Sequence, residues 1–312
     1  MTALRGDGGV LANRDLADRD RAAFRLAREY LLSFGDLGVT DAVIDYYVEP
    51  PPERLRPATL GGVYLRVLTS AQNANMRANV VGGAIGGVER LDGVLCAFAP
   101  RDIVARYGDH WVALLDVVEG SGLLAAPVRR EPRSIWPLFC RSALSGALFL
   151  SQFEDAHDFY GWVEVFDGDD RIRPALPMLL SYEIDGFGFP LACDFLKEIG
   201  FLDFGKPDVH LKAILGGLGM TRPSPGDYET FKAITRIASA AGASPYHVDK
   251  LFWLVGSGYF YDHADVGRSG RVPTDRAEFI AATAGRFAEE YPGDAGDVDG
   301  TTPPLPTRRS DA

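Results

Sequence analysis

Three short stretches of this chain carry residue types that can do chemistry. The first is Lys206-Pro207-Asp208-Val209-His210, followed by the apolar run LKAILGGLG. Asp208 stands where a helix should begin. Its carboxylate can accept backbone N–H bonds at the positive end of the helix dipole. That is a cap worth about 1 kcal/mol, or a carboxylate held ionised for chemistry. The second is Asp185-Gly186-Phe187-Gly188 between two apolar stretches. Glycines two apart permit positive φ and bare backbone N–H groups. Alone they mark a helix–helix turn; at a helix N-terminus such amides also suit a phosphate. The third is LTSAQNANMRANVV, residues 68–81, where a helix should end in a polar turn carrying Gln72 and Asn73.

The elements that must position these residues read as helices. Phe24, Ala27, Leu31 and Phe34 recur at helical spacing, with Gly35 as a stop. Val63, Val67 and Ser70 share a face, with Tyr64 and Leu68 beside it. Residues 101–118 form one or two helices, and 120–134 is a Gly/Pro/Arg-containing connection. Pro174 and Pro177 open the helix before the glycine turn. Pro190 sits in the first turn of the helix after it, where its missing donor costs nothing. Leu191, Phe195 and Ile199 line that second helix and Gly200 ends it. Ser244–Tyr261 gives an amphipathic helix ending in Gly256-Ser257-Gly258. Alternating strand patterns are scarce, so the fold class is all-α. Pro50-Pro51-Pro52 is a rigid break.

Composition narrows the class. With 312 residues, 46% of them hydrophobic, the chain can bury a large core. Residues 1–18 and 291–312 are polar and expected to be disordered, leaving one folded stretch over 19–290. Cys96, Cys140 and Cys193 are too scattered for a disulfide framework or a metal cluster, and read as free thiols of a reducing compartment. The five histidines show no metal-ligand spacing, and GGAIGG at 82–87 lacks the lysine of a phosphate loop. No run suits a membrane span or a signal peptide, so a cytoplasmic protein without a membrane partner is expected.

Taken in order, these stretches resemble the helix–hairpin–helix (HhH-GPD) DNA glycosylase superfamily, the endonuclease III and adenine glycosylase group. Leu68-Thr69-Ser70-Ala71-Gln72 looks like the turn that supplies a glutamine wedge. Ile184–Ala192 looks like the hairpin, Pro207–Leu211 like the segment with the catalytic aspartate, and Trp253–Gly256 like the closing helix. The resemblance implies a two-lobed helical fold with a cleft between lobes and a monomer acting on double-stranded DNA that contains a damaged or modified base. Asp208 would be catalytic. Gln72, Asn73, Gly186, Gly188, Phe189 and His210 would contact DNA. No cofactor is implied beyond a monovalent cation at the hairpin.

Departures are equally informative. The hairpin position that carries a Schiff-base lysine in bifunctional members holds Phe189 or Pro190 here, and the C-terminal iron–sulfur loop is absent. The expected activity is therefore monofunctional: hydrolysis of the N-glycosidic bond without strand cleavage. Lys197 and Lys206 read as surface or phosphate-contacting residues. Gln72 and Asp208 lie 136 positions apart, which leaves an insertion at about 90–135 free to act as a lid, specificity element or partner surface. Trp111, Trp136, Phe139, Tyr160 and Trp162 are core residues or stacking platforms for a flipped base.

The charge runs against this reading. Lys and Arg number 32 against 43 Asp and Glu, a net −11, whereas a binder that works by neutralising phosphates should be basic. A few fixed amides can hold a phosphate without net charge. Three substrates stay open: a damaged base such as a methylated purine, a bulky modified base of phage DNA, and a free nucleoside or nucleotide. A DNA-binding module without activity would not need Asp208.

Overall fold

The computed structural model describes residues 7–49, 56–73 and 80–290. The proline run at 50–52 and the 291–312 tail lie outside them. The described residues form fourteen α-helices and no strand beyond two isolated bridges at Tyr259–Arg271 and Gly267–Arg271. In chain order the helices are α1 (Asp7–Leu32), α2 (Asp41–Val48), α3 (Leu60–Ala71), α4 (Val80–Ile85), α5 (Pro100–Tyr107), α6 (Trp111–Gly120) and α7 (Ile135–Leu150). There follow α8 (Ala156–Asp167), α9 (Ala175–Glu183), α10 (Phe189–Glu198), α11 (Val209–Gly217), α12 (Asp227–Ala241), α13 (Pro245–Ser257) and α14 (Arg276–Glu290). No helix is long and apolar enough to cross a membrane. The first helix begins at Asp7, inside the polar 1–18 stretch. Once Leu26, Ala27 and Leu31 are buried, each residue added N-terminally gains a backbone bond without a new nucleation cost.

Local chemistry sets the boundaries. Thr59 caps α3 by accepting the Gly62 N–H, Asp155 caps α8 through Asp158 N–H, and Ser244 caps α13 through His247 N–H. Each is worth about 1 kcal/mol. Gly258 closes α13 in the left-handed region.

Two separate hydrophobic cores organise the helices. One gathers α3 to α10, from Val63 and Tyr64 through Phe159 and Phe195 to Phe204. The other joins the two ends of the chain: Leu26 and Leu31 of α1 meet Leu211 and Ile214 of α11, Leu251 and Phe252 of α13, and Phe279 of α14. Residues 90–135 belong to the first core, through Leu91, Leu95, Ile103, Leu114, Leu115 and Val118. Helices α5 and α6 both pack on α7.

Candidate active site between the two cores

A cavity of about 720 Å³ opens between the cores. One wall is the face of α3 bearing Arg66, Thr69 and Ser70, with Asn73 just past the helix end, together with Gly188 and Leu191 at the start of α10. The facing wall is Asp208 and His210 of the α11 N-terminus, with Trp253, Tyr259 and Tyr261 from α13 and the loop after it.

Asp208 is the N-cap of α11. Its Oδ1 accepts the His210 N–H at 2.8 Å and the Leu211 N–H at 3.0 Å. Burial, together with the negative charge of Asp249, pushes its carboxyl above the usual aspartate range; the Leu211 N–H and the charges of His210 and Lys206 pull the other way. The second carboxylate oxygen makes no protein hydrogen bond among the described residues, so it is available to a ligand.

Behind Asp208 lies an ion network that sequence reasoning missed. Lys197 Nζ donates to Asp249 Oδ2 at 2.6 Å, and the two side chains are only 4% and 2% exposed. The same Oδ2 accepts the Lys206 backbone N–H at 3.0 Å, tying the loop before Asp208 to α13. Asp194 completes the network, 3.4 Å from Lys197 and 3.3 Å from Lys206. Although burial opposes the charge on Lys197, Asp249 and Asp194 raise its pKa well above the ordinary lysine value. Lys197 is therefore not a surface residue. Its burial in α10 shows only as an interruption of that helix's apolar face, and its partner is 52 residues away.

The glycine hairpin is held by α7. Ser142 Oγ donates to the Asp185 carbonyl, and Ser145 Oγ accepts the Asp185 N–H at 2.9 Å. Gly186 has φ 79°, and a β-carbon there would meet Ser142 Oγ at 2.9 Å. Gly188 differs from expectation: its φ is −99°, the extended geometry of an N-cap. Among the described residues the amides of Gly186, Gly188 and Phe189 meet no protein acceptor. The Phe189 side chain turns inward, edge-on to Phe231 at 5.6 Å, so only its backbone faces outward chemistry. The Ile184, Asp185 and Gly188 carbonyls already accept protein hydrogen bonds.

Asn73 lines the cavity, but Gln72 does not. Gln72 Oε1 accepts the Gly82 N–H at 3.2 Å, tying the end of α3 to α4. His210 lines the cavity with its Nδ1 edge turned away, buried and without a hydrogen-bond partner. None of Trp111, Trp136, Phe139, Tyr160, Trp162 or the 90–135 segment reaches the cavity; these aromatics pack in or against the first core. The aromatic wall is instead Trp253, stacked on Tyr261 at 5.1 Å and 25°, with Tyr259 beside them. Tyr261 holds a left-handed backbone, φ 44°, a strained conformation of the kind that concentrates at functional sites.

Among the described residues no group of three or more His, Cys, Asp or Glu side chains is arranged to hold a metal ion. Comparison with protein-family models, curated proteins and solved structures returned no match.

Proposed function

We propose that the chain is a monofunctional DNA glycosylase of the helix–hairpin–helix type, hydrolysing the N-glycosidic bond of a damaged or modified base flipped out of duplex DNA. In this reading the two cores are its two lobes. The observation that carries it is the half-buried Asp208 carboxylate at the wall of a cavity whose opposite wall is a Gly-x-Gly hairpin and a polar helix end.

Breaking an N-glycosidic bond builds positive, oxocarbenium-like charge on the sugar. A fixed carboxylate stabilises that charge, and its free oxygen orients or deprotonates the attacking water. The bond cannot be reached inside a duplex, so the nucleotide must leave the stack. Asn73 is positioned to enter the vacated space, and the amides of Gly186, Gly188 and Phe189 to hold a strand phosphate. Trp253 and Tyr261 supply planar faces for the extruded base, a sequence-tolerant contact worth about 1–3 kcal/mol per base. A roomy pocket of this kind also accepts a bulky modified base, as in phage DNA.

The net charge of −11 favours a second reading, hydrolysis of a free nucleoside or nucleotide, which needs no wedge and no basic surface. Mass spectrometry of bases released from varied genomic and phage DNAs, against a nucleoside panel, separates the two. Release from DNA that disappears in Asp208→Asn supports the glycosylase; release from nucleosides alone supports the alternative; no release from either overturns both.

A further inference from the structure

The cations lining the cavity are almost all matched with acids. Lys197 pairs with Asp249 and Asp194, and Lys206 with Asp194. Lys212 pairs with Asp227, and Lys250 lies 3.7 Å from Glu198 and 3.3 Å from the Tyr261 hydroxyl. Arg66 breaks the pattern. Among the described residues its guanidinium meets no carboxylate, carbonyl or aromatic ring, although it is half-buried in the cavity wall. A guanidinium offers five donors in a rigid fork and stays charged at every physiological pH. Its nitrogens remain solvent-accessible at the cavity wall, so they are open to an acceptor on a ligand.

Its setting says what the acceptor is. Arg66, Thr69 and Ser70 fall at i, i+3 and i+4, one stripe of α3, and Asn73 follows just past the helix end. That stripe faces the cavity, while Val63, Tyr64, Val67 and Leu68 on the other side are buried in the first core. The stripe presents one unmatched positive charge among small hydroxyl and amide groups, and no acid. On a chain of net charge −11 this is an isolated positive charge rather than part of a basic surface.

We infer that Arg66 binds a phosphate of the substrate, bidentately, across the cavity from Asp208. This rests on the N-glycosidase reading of the site. The phosphate is the diester flanking the flipped nucleotide if the substrate is DNA, or the 5′-phosphate if it is a free nucleotide.

The test is fluorescence anisotropy over a salt series. The probe is a duplex carrying a tetrahydrofuran abasic analogue, with a nucleoside 5′-monophosphate as competitor and as separate titrant. Arg66→Ala should bind the duplex about 10-fold more weakly and lower the log–log salt slope by about one. Arg66→Lys should keep the slope and lose part of the affinity. Arg66 contacts no partner, so both variants should melt like the parent. Unchanged affinity and slope in Arg66→Ala overturn the assignment, as does a parent protein that binds neither probe. If the parent ignores the duplex but binds the monophosphate, and Arg66→Ala loses that binding, the Arg66 site stands while the DNA reading falls.

Discussion

Gly256 of α13 lies so close to His210 of α11 that a β-carbon on it would fall 2.5 Å from His210 Nδ1 and 2.6 Å from His210 Cβ. The contact locks the imidazole with one edge against the helix backbone and leaves the other toward the cavity. Gly256→Ala should cost about 1–3 kcal/mol by overpacking, read as a shifted urea midpoint with unchanged slope. His210→Ala in the same chain should recover most of that loss. Additive losses in the double variant would mean that the two residues do not share this contact.

Asp208 should set the acid limb of activity. Its carboxyl is raised by burial and by Asp249, so the folded chain binds this proton more tightly than the unfolded chain. That stabilises the fold at low pH, and the stabilisation is lost as pH rises through the raised value. Catalysis needs the ionised form, so the rate should fall with acidification at a higher pH than an unperturbed aspartate dictates. Asp208→Asn keeps a good cap and removes the charge beside Asp249. At neutral pH it should melt no lower than the parent, while base release falls about 100-fold or more. Thermal melts and a single-turnover pH profile check both halves.

Gln72 and Asn73 should separate by readout. Gln72→Ala removes the acceptor of the Gly82 N–H and should cost about 1 kcal/mol of stability. Asn73→Ala should leave the melt unchanged and slow release from a duplex more than from a single strand. Equal slowing on both substrates would exclude Asn73 as the residue that fills the opened stack.

Lys197 is buried and held protonated by Asp249 and Asp194. Borohydride should therefore trap no covalent enzyme–DNA adduct, and a strong trapped band would show a nucleophilic amine at the site. Lys197→Met should strand Asp249 without its counter-charge and cost about 3–5 kcal/mol, read by chemical denaturation.

Local chemistry was legible in the sequence where it repeats a local rule. Asp208 before an apolar run is an N-cap and proved to be one. Pro190 after Gly188 marks the first turn of α10, and Ser244 opens α13. What depends on distant partners was not legible. Nothing near Lys197 names Asp249 as its partner, and nothing near Gln72 shows that Gly82 would occupy its side chain. The aromatics of residues 111–162 look as suited to stacking as Trp253 and Tyr261; only the packing on α7 and α8 consigns them to the interior. Likewise, the length of the 90–135 segment suggests an appendage, whereas its leucines and valines are part of the first core.

The second core is assembled from both ends of the chain. Helix α1 is synthesised well before its partners on α11, α13 and α14, with Phe279 and Phe287 closing the set. The first core can close while the ribosome is still working, since domains form as their sequence becomes available. The scaffold that carries Asp208 and Asp249 cannot. The cavity therefore acquires its acidic wall only after α13 and α14 are made, so a product stalled before them would carry the hairpin and α3 without that wall.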